Sequence, residues 1–225
     1  MKVVDLTIAI EEGMQTFNAP WHPVVEITQL GRHGVEGRQT CRFSLGSHTG
    51  THMDAPLHFV QGGQPIDAIP FSKIFGEVTV VDFSFLQEGD CVTVELLETV
   101  ALTQKIIFNF GWSRYWNTRK FYKGYPFFSP NAAHYLVQKH VELVGMDTPS
   151  PDDSRIVLSG DILGGDDDSP VHKIFLKKGI VLLEYLANLD KVKKDSCGWK
   201  LVAMPLKIRG ADGAPARVYI YKEEQ

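Results

Sequence analysis

Cysteine is scarce in this sequence: Cys41, Cys91 and Cys197 lie far apart, with no CxxC pair among them. That excludes a disulfide framework, a zinc ribbon and a thioredoxin-type motif, and a reducing compartment is expected. Basic charge is not in excess either. Lys and Arg number 23 against 27 Asp and Glu, a formal charge of −4. No Lys/Arg cluster offsets that balance locally, so nucleic acid and anionic membrane surfaces are not expected partners. Apolar runs such as residues 180–183 fall far short of the roughly 20 residues a spanning helix needs. The opening MKVVDLTIAIEEG breaks its apolar stretch at Asp5 and meets Glu11 and Glu12 where a cleavage region would lie. It does not read as a signal peptide, and a soluble, cytoplasmic protein is expected. A GxSxG elbow, a P-loop and a GxGxxG fingerprint are also missing, which sets aside the usual serine-hydrolase, nucleotide-phosphate and dinucleotide classes.

What remains is a chain with a core. Hydrophobic residues are 44% and charged residues 22% of the 225, proportions that exclude a disordered, collagen-like or coiled-coil chain. Short β-branched and aromatic runs at 3–10, 24–30, 40–45, 78–83, 105–110, 141–146, 180–185, 201–208 and 218–221 read as strands. Ser129-Pro130-Asn131 opens a helix over 132–140, with Ser as cap and Pro at the first helical position. Ser169-Pro170 repeats that pattern before 171–178, which closes on Lys177, Lys178 and Gly179, a basic last turn and a left-handed stop. A third helix is expected within 93–101. Strands and helices are interleaved, which points to a single α/β domain over residues 1–225, a mixed β-sheet core flanked by helices. Residues 148–170, rich in Pro, Gly and Asp, read as a long acidic loop within it.

The chemistry concentrates in one segment. Of eight histidines, three fall in His48-Thr-Gly-Thr-His52-Met-Asp54-Ala-Pro-Leu-His58. On a helix Asp54 and His58 would point away from His48 and His52, whereas in an extended chain all four side chains share one side. A straight strand would still separate His48 from His58 by about 33 Å. The chain must therefore bend, and Gly50 and Pro56 are suitable points, since Gly tolerates positive φ and Pro keeps the preceding residue extended. Two imidazoles and a carboxylate then converge, a set that suits a divalent first-row metal with coordination positions left open. An ordinary strand built this way would bury polar groups without partners. The scattered His22, His33, His134 and His140 read instead as surface or hydrogen-bonded residues.

HTGTHMDAPLHF resembles the signature of the cyclase family of metal-dependent hydrolases, which includes bacterial kynurenine formamidase and isatin hydrolase. Further matches are Gly111-Trp112, Gly145-Met-Asp147-Thr-Pro-Ser150, His172 twelve residues before Glu184, and the stretch from Pro205 to Arg217. The resemblance implies a swivelling β/β/α-like fold and a first metal on His48, His52 and Asp54. It also implies a second metal shared by Asp54 with His172 and Glu184. It makes His58 a proton-transfer residue, with Glu184 as the other catalytic candidate, and leaves open that His58 is a third ligand. The implied cofactor is Zn2+ or Mn2+, one or two per chain. Phe17, Trp21 and Trp112 become candidates for contacting an aromatic small-molecule substrate, though the three read equally well as core, and a homo-oligomer, dimer or tetramer, is expected.

Divalent ions lower the pKa of bound water from about 15.7 towards about 7, which fits hydrolysis of a small amide, lactam or ester. The expected enzyme acts on a carbon–nitrogen bond other than a peptide bond, as an arylformamidase does. The acidic stretch before His172 is longer than the family usually has. There Asp161, Asp166, Asp167 and Asp168 read as a solvated loop that does not fit the EF-hand pattern, the alternative being that they approach the site and bind another cation. Two histidines and a carboxylate also suit a non-haem iron oxygenase, and a non-enzymatic metal-binding protein is the reading from another class.

Overall fold

The computed structural model describes residues 1–157, 168–192 and 198–223. Twelve strands occur among them: β1 (Lys2–Asp5), β2 (Glu26–Gly31), β3 (Thr40–Ser44), β4 (His52–Asp54), β5 (Phe75–Asp82), β6 (Cys91–Val92), β7 (Lys105–Asn109), β8 (Phe127–Phe128), β9 (Leu143–Met146), β10 (Val181–Glu184), β11 (Trp199–Pro205) and β12 (Gly213–Lys222). The main sheet runs β1-β12-β11-β5-β7-β9-β10-β4, and β4 pairs back onto β12, so the sheet closes into a barrel. Neighbours β5, β7, β9 and β10 are parallel, and the remaining pairings of this sheet are antiparallel. The core is therefore the expected mixed α/β one.

Strand alternation sorts the side chains onto two faces. Met53, Val78, Val80, Ile107, Leu143, Leu183, Leu201, Ala214 and Ile220 form an inner core drawn from the barrel strands. Their neighbours Val81, Ile106, Phe108, Val144, Met146 and Leu182 form an outer core with Leu136 and Phe175 of the helices Pro130–Gln138 and Pro170–Lys177. Glu184 shares a face with Leu182, so it points out of the barrel towards the helical layer. His52 and Asp54 flank the inward Met53 and point the same way.

All nine expected strands are present, with three informative differences. β12 starts at Gly213, well before the expected 218, because Gly-Ala-Pro carries no strand signal yet pairs with β4 to close the barrel. β2 and β3 form a separate two-stranded ribbon, largely exposed, rather than joining the core. The expected 3–10 strand ends at Asp5, and Thr7 and Leu6 continue along β12 by isolated hydrogen bonds to Val218. Ser129 caps its helix as expected, its Oγ accepting from Ala132 N at 3.1 Å. Ser169 does not: it is left-handed (φ +50°) and its side chain makes no cap hydrogen bond. The segment after Met146 is also less loop-like than expected. Thr148, Ser150, Asp152 and Ser154 are buried, and a short helix follows at Ser154–Val157. Asp161, Asp166 and Asp167 lie outside the described residues.

Candidate metal centre

The site begins at a turn. Gly50 adopts φ +58°, where a Cβ would also lie 3.3 Å from Met14 Cε, so only glycine serves here without strain. The turn brings the His48 and His52 rings to 5.0 Å between centroids. Thr51 then locks the strand: its hydroxyl donates to Tyr185 O at 2.7 Å and accepts from Ile8 N at 2.8 Å. Pro56 opens a 3-10 turn that ends at His58, the second bend.

Register supplies the rest. β4 lies between β10 and β12 with Glu184 directly opposite His52 and Leu182 opposite Asp54, and cross-strand neighbours of this kind place their side chains within contact. His52 Nε2 is 3.2 Å from Asp54 Oδ1 and 3.3 Å from Glu184 Oε2. His48 Nδ1 is 2.8 Å from Asp54 Oδ1. From the helical side, His172 Nε2 lies 3.2 Å from Glu184 Oε1 and 3.5 Å from Asp54 Oδ2. The result is two three-residue groups that share Asp54, namely His48, His52 and Asp54, and Asp54, His172 and Glu184. The five residues predicted from the sequence as ligands are thus together, and all are buried.

These groups suit a metal better than they suit one another. Asp54 Oδ2 and Glu184 Oε1 are buried and make no hydrogen bond, although His172 Nε2 stands 3.5 and 3.2 Å from them, a costly arrangement for carboxylates unless a cation completes it. Each imidazole, in contrast, has its outer nitrogen engaged: His48 Nε2 by Asp212 at 2.8 Å, His52 Nδ1 by the Gly50 carbonyl at 2.8 Å, and His172 Nδ1 by Asp152 at 2.6 Å. That is the pattern by which ligating histidines are oriented and their tautomers fixed. Burial alone pushes the imidazole pKa values down, but the carboxylates outweigh it. His48 and His172 are raised, and His52 reaches about 10 between Asp54 and Glu184. Burial likewise opposes the charge on Asp54, yet His48, His172 and His52 hold it well below the ordinary range. A divalent ion would replace these protons, so binding is expected to release them.

Two acidic residues complete the site without having been singled out by the sequence. Asp152 accepts from Val171 N (2.7 Å) and His172 N (3.1 Å) as well as from the His172 ring. It therefore does the capping that Ser169 does not, while Ser169 Oγ donates to Asp168 at 2.8 Å. Asp212, at the entry to β12, is 3.2 Å from His58 Nδ1 in addition to its contact with His48. His58 itself is half-buried, its ring 4.0 Å from that of His48. Its pKa is lowered by burial.

A cavity of about 240 Å3 opens over these groups. Phe17, Trp21, His22, Phe59, Ser150, Asp168 and Tyr185 are among its walls. Of the three aromatic candidates, Phe17 and Trp21 line the cavity and Trp112 does not. Trp112 is buried against Tyr115, its Nε1 donating to Phe121 O at 2.9 Å, and it is absent from the cavity wall. His22 is the converse case: a histidine read as ordinary lines the cavity, and burial, followed by the nearby imidazoles His48, His52 and His58, lowers its pKa to about 4. His33, His134 and His140 are exposed, as expected.

The family model described as "Putative cyclase" matches residues 4–153 of the 225. The chain is 33% identical over 180 residues to a kynurenine formamidase of Salinibacter ruber, covering 78% of this chain and 76% of that one. It is 29% identical over 181 residues to a kynurenine formamidase of Geobacillus thermodenitrificans, covering 80% and 79%. Among solved structures, isatin hydrolase A from Labrenzia aggregata bound to benzyl benzoate matches with a TM-score of 0.82 at 26% identity, over 99% of this chain and 94% of that one. A potential metal-dependent hydrolase with cyclase activity matches with a TM-score of 0.71 at 27% identity, over 100% and 99%. Among the described residues, no helix is long and apolar enough to cross a membrane. The HTGTHMDAPLHF signature lies within the matched span, and the barrel and its buried histidine–carboxylate cluster agree with it: the chain belongs to the cyclase family of metal-dependent hydrolases.

Proposed function

We propose that this protein hydrolyses the carbon–nitrogen bond of a small aromatic amide or lactam, of the N-formylkynurenine or isatin kind. The observation that carries the reading is the convergence of two buried carboxylates, Asp54 and Glu184, whose oxygens Oδ2 and Oε1 make no hydrogen bond, on three oriented imidazoles at the base of the cavity. His48, His52 and Asp54 would hold one divalent ion, and Asp54, His172 and Glu184 a second, zinc or manganese. Such ions supply Lewis-acid polarisation of a carbonyl and a nucleophilic water at neutral pH.

The chain's own groups do the remaining work. Phe17 and Trp21 offer aromatic faces on which a planar substrate can lie, and the cavity's size suits a substrate of one or two rings. His58 has the position and exposure of a proton carrier: it borders the cluster, and its pKa lies below the usual imidazole value, which favours the neutral, basic form. It takes a proton as water attacks the carbonyl and returns it to the leaving nitrogen. Glu184, buried opposite His52, is the alternative acceptor.

Elemental analysis of the purified chain, combined with turnover of N-formylkynurenine, isatin and a series of simple amides and esters, tests the reading. Stoichiometric zinc or manganese with hydrolysis of at least one aryl amide or lactam is expected. Full metal occupancy with no turnover across the series would instead leave a non-enzymatic metal-binding protein.

A further inference from the structure

Asp212 lies outside the ligand set proposed above, yet its carboxylate touches two of the histidines. Oδ2 is 2.8 Å from His48 Nε2 and 3.2 Å from His58 Nδ1. The backbone builds this position. Ala55 N donates to the Asp212 carbonyl at 2.9 Å, and the next residue, Gly213, pairs with Asp54 across β4 and β12. A Cβ on Gly213 would lie 2.9 Å from His48 Cε1 and 2.8 Å from the Met53 carbonyl oxygen. Residue 213 must therefore be glycine for the strand to pass this close to the imidazole, and the preceding carboxylate is held against it.

Donor counting gives the consequence. An ionised carboxylate can only accept hydrogen bonds. Asp212 is part-exposed, and a carboxyl group of ordinary pKa is ionised at neutral pH, so its Oδ2 faces the His48 and His58 ring nitrogens as an acceptor. Both ring nitrogens that face it therefore carry their hydrogen. A neutral His48 then has its lone pair on Nδ1, the atom 2.8 Å from Asp54. A neutral His58 has its lone pair on Nε2. One carboxylate oxygen sets two tautomers.

We propose that Asp212 is the positioning residue of the site, fixing His48 as an Nδ1 ligand and His58 as an Nε2 base. The inference rests on the hydrolytic reading above and specifies how its proton moves. The bond between the water oxygen and the carbonyl carbon forms as the water's proton passes to His58 Nε2. The carbon–nitrogen bond then breaks as that proton passes to the leaving nitrogen, and the imidazole returns to its neutral form. Asp212 accepts from His58 Nδ1–H throughout and stabilises the transient imidazolium, as a carboxylate does behind a general-base histidine.

The test uses the full chain loaded with saturating zinc. Long-range nitrogen–proton NMR correlations of the histidine rings, assigned with His58→Ala, should show wild-type His58 protonated on Nδ1 and bare on Nε2. Asp212→Asn should lower kcat roughly 10–100-fold at saturating zinc with the zinc content kept. KM should move by less than about threefold, the split expected when a group acting only in the chemical step is weakened. Its His58 signals should shift towards the other tautomer, Asp212→Glu should recover part of the rate, and Asp212→Asn added to His58→Ala should cost little more. Wild-type His58 protonated on Nε2 would overturn the proposal, as would full kcat in Asp212→Asn or an equal further loss in the His58→Ala background. Should the wild type hydrolyse nothing in the substrate series, the hydrolytic reading fails, and the wild-type tautomer still decides the role of Asp212.

Discussion

The two halves of the candidate metal centre are assembled in different ways. His48, His52 and Asp54 come from residues 48–54, a turn running into a strand pinned on both edges by β10 and β12. His172 sits on a helix and Glu184 on the following strand, and the His172 ring is aimed by Asp152, twenty residues upstream. In the first half, strand alternation and one positive-φ glycine suffice. In the second, a helix end must be docked and capped by a residue from another segment before the ring points anywhere useful. A ligand set carried on one strand is thus fixed by local geometry, while a set carried on a helix depends on whatever holds that helix.

Asp54 belongs to both halves, so the comparison predicts that it is the most damaging site to change. Asp54→Asn should disable both groups together, with kcat/KM down by more than about 10³-fold, beyond the loss of a single oxyanion donor. Steady-state kinetics beside His52→Ala and Glu184→Gln checks this, and a smaller loss in Asp54→Asn than in either would break the shared-ligand picture.

Asp152→Asn should separate the halves. The amide has one oxygen to share between the helix cap and the His172 ring, so zinc affinity of the second half should fall roughly 10–100-fold while that of the first stays unchanged. A competitive zinc titration resolves the two sites. Equal weakening of both would mean that Asp152 supports the cluster as a whole.

How much of this was legible in the sequence follows the same division. His48, His52 and Asp54 announced themselves because period two and a Gly bend act within a few residues. His172 and Glu184 look bland locally and entered through family resemblance, since only the β4–β10 register reveals that Glu184 faces His52. Asp152 and Asp212 were invisible for a related reason: an Asp beside Pro or Gly reads as a turn former, and what each accepts from is distant in the chain. Asp212 bonds to His48, 164 residues away. Trp112 is ambiguous in the sequence because an aromatic after a strand serves a core and a substrate pocket equally well until its ring is located. Most of the strands were legible as β-branched and aromatic runs, but the start of β12 was not, because Gly213-Ala-Pro is chosen for closeness to His48 and β4 rather than for strand propensity.

That closeness gives the smallest of the expected effects. Gly213→Ala forces a methyl against a backbone oxygen that cannot move and an imidazole that can. A destabilisation of about 1–3 kcal/mol is expected, the usual cost of overpacking, together with a weakened first half as His48 is displaced. Thermal melts of the metal-free chain measure the first effect and zinc titration the second. An unchanged melt would show that β12 has more room than its register suggests.

The central claim is that Asp54 joins two adjacent metal sites. Counting bound metal by elemental analysis, after dialysis against zinc and removal of the free ion, tests it most directly. The account predicts two ions per wild-type chain, one in Glu184→Gln and none in Asp54→Asn. A single ion in the wild type, unchanged in Glu184→Gln, would contradict it and reduce the centre to a mononuclear site.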